Sequence, residues 1–192
     1  MIELVMVIAV VLIISATALF QVMPAMRNAK AESALQITLG QIRNARGLAV
    51  DQRSRYKLKF TAPRTIQLSR GVVDPVTHIL GYVPVSTIDL PQETQFIAIA
   101  GIPTGAETPD SLPTTGIAID FNLGNAGGLT DEVYFQPDGR ALDASGRLNS
   151  GVVYVARPGE LMSSRAVSVR GATGRVKGWH LIQSGNNKLW AE

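Results

Sequence analysis

The sequence contains no cysteine and only two histidines, His78 and His180. The absence of thiols excludes disulfide bonds, thiolate metal sites and cysteine nucleophiles. The two histidines lie far apart in the sequence, without the close spacing that places two imidazoles on one helix face as metal ligands. The sequence therefore predicts a protein that is not an enzyme and that uses no cofactor and no metal.

Charge is absent from one long stretch near the start of the chain. The apolar run from Leu4 to Phe20 contains no charged residue, and one acid, Glu3, precedes it. About 20 apolar helical residues span a hydrocarbon layer of about 30 Å, so the run predicts a transmembrane helix. A carboxylate at the membrane centre costs about 2.5–3.5 kcal/mol, which favours a cationic partner for Glu3. The alternative is a hydrated Glu3 at headgroup level.

The remainder of the chain is long enough for one domain, and its charge is segregated. Residues 27–70 carry ten Lys or Arg against two acids, and residues 71–156 carry two against ten. Residues 157–192 carry six Lys or Arg against two acids. Such asymmetry can steer an anionic partner or order subunits head to tail, and the alternative is a solvated surface.

A second helical pattern follows the apolar run. Its apolar residues recur at spacings of three and four and predict an amphipathic helix that ends near Asp51; they are Leu35, Leu39, Ile42, Ala45 and Ala49. Pro24 lies between the two helical segments and predicts a helix break near residues 18–23. We expect residues 1–26 to form the membrane or filament-core half of the helix, residues 27–52 the amphipathic half, and residues 53–192 a globular antiparallel β domain.

Short segments with strand character follow the helix and are separated by Gly, Pro and Asp. The clearest is Arg55–Phe60, in which apolar residues alternate with cations. The other predicted strands are residues 65–68, 79–83, 96–100, 117–121, 132–136, 151–157, 165–170 and 175–182, with loops at 101–116 and 122–128. The fold class predicted is α+β, with a long N-terminal hydrophobic helix packed on an antiparallel sheet or sandwich.

Two parts of the chain resemble one protein family. The segment Ile2-Glu3-Leu4-Val5-Met6-Val7-Ile8 resembles the start of mature type IV pilins and pseudopilins. In the C-terminal half, residues 133–140, 152–156, 165–169 and 174–176 resemble the globular domain of H-type minor pseudopilins and of the related T- and U-type minor pilins. The resemblance covers nearly the whole chain except residues 71–116.

This resemblance implies a structural subunit that helps initiate or assemble a type IV pilus or a type II secretion pseudopilus. It implies that Glu3 pairs with the α-amino group of a neighbouring subunit, which would neutralise two charges in a low-dielectric setting. Helix packing in the membrane or filament is expected from the apolar side chains of Leu4, Val7, Ile8, Val11, Leu12 and Phe20.

The resemblance also implies a location and partners. We expect a single-pass protein of the bacterial inner membrane, with its globular domain in the periplasm or outside the cell as part of a filament. The expected partners are other pilin or pseudopilin subunits, the inner-membrane assembly platform and a prepilin peptidase. The family places its processed, methylated N-terminus four residues before the acid, whereas Met1 stands two residues before Glu3, so we expect upstream sequence to encode a leader and the first two mature residues.

DNA binding during uptake is the alternative function. Arg170, Arg175 and Lys177 could contact phosphates, and Gly174-Arg175-Val176-Lys177 resembles the basic motif of DNA-binding T-type minor pilins, with Lys in place of the final Arg. DNA is not favoured, because aromatic stacking partners are sparse among these cations. Asp120, Asn122 and Asp131 loosely imitate a calcium loop, but Asn125 stands where that loop requires glycine, so no metal site is predicted.

Overall fold

The chain begins with a single helix of 50 residues, α1 (Ile2–Asp51), in the computed structural model. The structure describes residues 2–104, 107–114, 116–123, 130–185 and 187–192. At 1.5 Å per residue, α1 is about 75 Å long. The helix ends at Asp51, as the spacing of its apolar residues predicts.

The helix continues through Pro24, so the predicted break near residues 18–23 is wrong for this structure. A proline inside a helix removes one backbone hydrogen bond and crowds the carbonyl four residues earlier. The turns on either side keep their own hydrogen bonds, and neighbours such as Ala25 and Met26 favour helix, so the loss of one bond does not end α1. The side chains of Leu4, Phe20 and Pro24 lie outside the described residues.

Strands then form two antiparallel sheets over the described residues. Their bounds are β1 (Tyr56–Thr61), β2 (Thr65–Val73), β3 (Leu80–Asp89), β4 (Gln95–Phe96), β5 (Ile119–Phe121), β6 (Glu132–Phe135), β7 (Ala141–Leu142), β8 (Gly151–Ala156), β9 (Arg165–Arg170), β10 (Arg175–Ser184) and β11 (Asn187–Ala191). The first sheet has the order β3-β2-β1-β6-β7. The second has the order β11-β10-β9-β8-β4, and β5 also pairs with β8. The predicted fold class is therefore confirmed.

The main core lies where the C-terminal half of α1 meets both sheets. The five apolar residues of the predicted helix stripe, Leu35 to Ala49, are all buried. They pack in one cluster with Leu58 and Phe60 of the first sheet and with Val153 and Val167 of the second. Burial of this stripe removes large apolar side chains from water, and it fixes the helix on the domain.

Strand β8 is buried on both faces, which explains its continuous apolar sequence. Val153 and Val155 face the main core, while Val152 and Tyr154 belong to a second, smaller cluster. A strand that is covered on both faces has a continuous apolar sequence, whereas a strand covered on one face alternates apolar and polar residues. The small cluster also includes Leu181 of β10, so the second sheet carries apolar side chains on both faces.

Several strands differ from their predicted bounds. The segment predicted at 96–100 pairs only at Gln95–Phe96, and β5 begins at Ile119. Strands β7 and β11 were not predicted. β7 has only two residues and pairs with β6, and β11 pairs with β10 without an alternating apolar pattern in its sequence. Of the two predicted loops, residues 105, 106, 115 and 124–128 lie outside the described residues.

Candidate assembly surfaces

The N-terminal half of α1 presents apolar side chains that the chain itself leaves uncovered. Val7 and Leu12 are 61% and 64% exposed, and Ile8 and Val11 are exposed as well. Glu3 is also exposed. In α1 the side chains described between Glu3 and Ala29 are all exposed, and burial begins at Ala31. Within the part of the chain that the structure describes, no helix combines the length and hydropathy that a membrane crossing requires.

Polar contacts fix the position of α1 where burial begins. The carboxylate of Glu32 lies 2.8 Å from Nε2 of His180 on β10 and 3.6 Å from Nε of Arg165 on β9. Partial burial acts to raise the pKa of Glu32, but hydrogen bonds from Gln36 and His180, with the charges of His180 and Arg165, outweigh it and hold that pKa below its ordinary value. The contacts of Glu32 with His180 and Arg165 therefore join the helix to the second sheet.

A second polar contact joins the C-terminal half of α1 to two turns. Arg46 donates from Nε to the carbonyl of Gly139 at 3.1 Å and from Nη2 to the carbonyl of Thr173 at 3.2 Å. Gly139 lies in the β6–β7 turn, and Thr173 lies in the β9–β10 turn. Arg46 therefore contacts both sheets through their turns.

Two of the three cations proposed to contact DNA share one carboxylate. Asp110 accepts hydrogen bonds at 2.7 Å from Nε of Arg170 and from Nη2 of Arg175. Partial burial acts to raise the pKa of Asp110, but the hydrogen bonds and charges of the two arginines outweigh it and hold the pKa below its ordinary value. Asp110 has a left-handed backbone, with φ of 56°, which aspartate tolerates better than most residues.

Lys177 and the two lysines of β1 also have acidic partners. Lys177 pairs with Glu192 near the end of the chain. Lys57 and Lys59 of β1 lie 3.4 Å and 3.6 Å from the carboxylate of Glu132 on the paired strand β6. These ion pairs reduce the charge that the surface presents to a phosphate backbone.

The histidines and the described part of the calcium-like segment lie apart from one another. His78 lies in the β2–β3 turn with φ of 55°, while His180 on β10 contacts Glu32. The carboxylate of Asp120 accepts a hydrogen bond from Thr114 at 2.9 Å, and Asn125 lies outside the described residues. In the described ranges, no group of three or more His, Asp or Glu side chains is arranged to hold a metal ion.

Three solved structures resemble this fold. The fold is similar to that of minor pilins and pseudopilins. The type IV minor pilin FimU of Pseudomonas aeruginosa is 11% identical to this chain, with a TM-score of 0.49. The match covers 83% of this chain and 92% of the FimU chain. A second crystal form of FimU has 12% identity and a TM-score of 0.45, covering 82% and 95%.

The third is the minor pseudopilin EpsH from the type 2 secretion system of Vibrio cholerae, with 9% identity and a TM-score of 0.49, covering 79% of this chain and 97% of its own. No protein-family profile and no curated protein sequence matches the chain. At these identities the likeness concerns the fold alone.

Sequence reasoning missed Asp110 and the role of Arg46. Asp110 lies 60 residues before Arg170, in a segment that reads as an exposed loop, and no local pattern marks it as an ion-pair partner. Arg46 lies off the apolar stripe of α1 and reads as a solvated helix cation. The ion pairs of Asp110 and the carbonyl contacts of Arg46 form only because folding brings distant turns beside the helix and the second sheet.

Proposed function

We propose that this chain is a minor pilin or pseudopilin, a non-enzymatic subunit that helps initiate or assemble a type IV pilus or a type II secretion pseudopilus. The observation that carries the proposal is the division of α1. From Ala31 onward its C-terminal half buries one face against the β domain, while the described apolar side chains near its start, including Val7 and Leu12, are exposed. An uncovered apolar helix surface of this kind requires lipid or other helices to cover it.

Before assembly, the proposed location is the bacterial inner membrane, with the globular domain outside the cytoplasm. The uncharged run from Leu4 to Phe20 supports this location. In the filament, the same helix surface would pack against helices of neighbouring pilin or pseudopilin subunits through Val7, Ile8, Val11 and Leu12, together with Leu4 and Phe20.

Glu3 is proposed to set the axial position of the subunit. Its carboxylate lies in the first turn of α1, directly before the apolar surface. Helix bundling would desolvate this charge, so it requires a cation, and the α-amino group of an adjacent subunit is the proposed partner. The paired charges would favour one register of neighbouring helices over others.

The test is the Glu3→Ala variant of the chain, expressed in its host. The variant is expected to reach the membrane in normal amount and to be lost from sheared filaments, as measured by immunoblot of both fractions. Asp51→Ala is the matched control, since it removes an exposed acid from the other end of α1. If Glu3→Ala enters filaments as efficiently as the Asp51 control, the proposed charge pairing is wrong.

DNA binding is less well supported than assembly. Arg170 and Arg175 both bond to Asp110, and Lys177 pairs with Glu192. A DNA-binding surface gains affinity by releasing counterions from phosphates, and pairing with two acids leaves these three cations only one net positive charge for that purpose.

A further inference from the structure

A cleft of about 510 Å³ lies between the C-terminal half of α1 and the β9–β10 turn. Its lining residues are Arg43, Arg46, Thr173, Gly174, Arg175 and Val176. Three of these six described residues are arginines, and none of the six is acidic. Clefts lined by charge of one sign concentrate the electrostatic potential and attract ions of the opposite sign.

The positive charge of this cleft is poorly neutralised by the chain itself. Arg43 is exposed and has no hydrogen-bond or ion-pair partner in the described ranges. The hydrogen bonds of Arg46 to described residues all go to neutral carbonyl oxygens, so its charge is retained. Arg175 shares the single carboxylate of Asp110 with Arg170. Two guanidinium groups there face one acid, which leaves excess positive charge at the cleft.

Part of the cleft is held in place by contacts within the chain. The two carbonyl contacts restrain the guanidinium of Arg46, which reduces the ordering cost of binding an anion. Gly174 has a left-handed backbone with φ of 61°, and a Cβ there would overlap the carbonyl oxygen of Gly139. The absence of a side chain at this glycine lets the two turns meet beside the arginines.

We propose that this cleft binds a carboxylate side chain of a neighbouring protein subunit. The planar donors of a guanidinium match the two oxygens of a carboxylate, and the bond between two charged groups is stronger than a neutral one. The proposal rests on the proposed function, because it assigns this contact to the assembled filament. It adds a second, polar subunit contact about 40 residues along α1 from Glu3.

A protein carboxylate fits the cleft better than a nucleic acid does. A DNA backbone engages cations along an extended track. Arg170 and Lys177 would extend the row of cleft arginines into such a track, but they already bind Asp110 and Glu192. A compact cleft with a few arginines suits a single acidic group. The acid-rich composition of residues 71–156 shows that a subunit of this kind can carry the complementary charge.

The binding test uses the full chain in detergent micelles and a fluorescent hexaglutamate peptide. Arg43→Glu is expected to weaken peptide binding by at least about tenfold, because it replaces an attractive charge with a repulsive one. Arg43→Lys should retain most of the binding. The matched control is Arg53→Glu, which changes the net charge equally at an exposed position outside the cleft. Equal losses for Arg43→Glu and Arg53→Glu would overturn the proposal.

A labelled DNA duplex, tested under the same conditions, separates the two classes of partner. Tighter binding of the duplex than of the peptide, with dependence on Arg43, would overturn the proposal and assign the cleft to nucleic acid. Weaker binding of the duplex, unaffected by Arg43→Glu, is the expected result.

Filament incorporation in the host distinguishes failure of this inference from failure of the proposed function. The wild-type chain should enter filaments, and Arg43→Glu should be depleted from them while the Arg53→Glu control is retained. Undiminished incorporation of Arg43→Glu would refute the cleft as a subunit contact and leave the function standing. Absence of the wild-type chain from every filament would refute the function, whatever the peptide shows.

Discussion

Arg46 of α1 donates a hydrogen bond from Nε to the carbonyl oxygen of Gly139 at 3.1 Å. The same guanidinium donates from Nη2 to the carbonyl of Thr173 at 3.2 Å. Gly139 follows β6 of the first sheet, and Thr173 follows β9 of the second. One side chain therefore joins the helix to turns of both sheets, at the opposite end of the buried half of α1 from Glu32.

Replacement of Arg46 by alanine should destabilise the domain. The substitution removes two hydrogen bonds from a charged donor, and we expect the free energy of unfolding to fall by about 1–3 kcal/mol. Urea unfolding of the full chain in detergent measures this change. Arg43→Ala is the matched control, because it removes an exposed arginine one turn earlier without such bonds, and should change stability by less than about 0.5 kcal/mol. Equal effects would show that Arg46 does not stabilise the junction.

Substitution of alanine for Gly174 should be more harmful than the same change at another left-handed glycine. Gly174 and Gly185 have φ of 61° and 60°, so both variants incur the strain of a left-handed alanine, about 1–2 kcal/mol. Only at Gly174 would the new Cβ overlap neighbouring atoms, while Gly185 faces open space. We expect Gly174→Ala to lose about 1–3 kcal/mol more than Gly185→Ala in urea unfolding. Equal losses would contradict the tight contact of the two turns.

Acid should weaken the contact between Glu32 and the second sheet. The pKa of Glu32 is lower in the folded chain than its ordinary 4.5, so its contribution to stability is present above that value and is lost as the pH falls through the folded pKa. Wild type should therefore lose more stability than Glu32→Gln between about pH 6 and about pH 3.

Urea midpoints across this pH range measure the difference. Glu32→Gln is the matched variant, because it keeps a side chain of similar size and removes the ionisable carboxylate. Identical acid dependence of wild type and Glu32→Gln would contradict the assigned role of this carboxylate.

Removal of Asp110 should increase the affinity of the chain for DNA. Asp110→Asn would remove the negative charge that Arg170 and Arg175 share, so the positive charge of both arginines becomes available to phosphates. Fluorescence anisotropy with a short duplex should show stronger binding of the variant at low salt and a steeper loss of affinity as salt is added. Asp138→Asn, which removes the partner of Arg140 on another turn, is the control for net charge. If both variants bind DNA alike, Asp110 does not mask these arginines.

The local pattern of the sequence was sufficient to predict the end and buried face of the helix and the approximate positions of most strands. Apolar spacing predicted the buried stripe of α1, including Leu35 and Ile42, because a helix that packs on one side repeats its apolar residues every three to four positions. Alternation of apolar residues with cations predicted β1. The predicted helix break near Pro24 was wrong. The sequence shows that a proline removes one backbone hydrogen bond, but it does not show whether the neighbouring helical turns remain formed.

The candidate sites depended on contacts between residues far apart in the chain. The pairing of Asp110 with Arg170 joins residues 60 positions apart, and that of Arg46 with Thr173 joins residues 127 apart. No periodicity encodes such contacts, since they depend on how the sheets and turns are arranged in space. Only the structure showed that two of the three predicted DNA contacts share one acid.

The amino-acid sequence alone determined the apolar start of the chain, its single acid, the absence of thiols and the alternation of the strands, because each depends on residue type and short-range order. Tertiary structure decided which cations are neutralised, which strands are covered on both faces, and which surface of α1 stays open. Those properties depend on distances between separate elements, and packing of the helix on two sheets sets those distances.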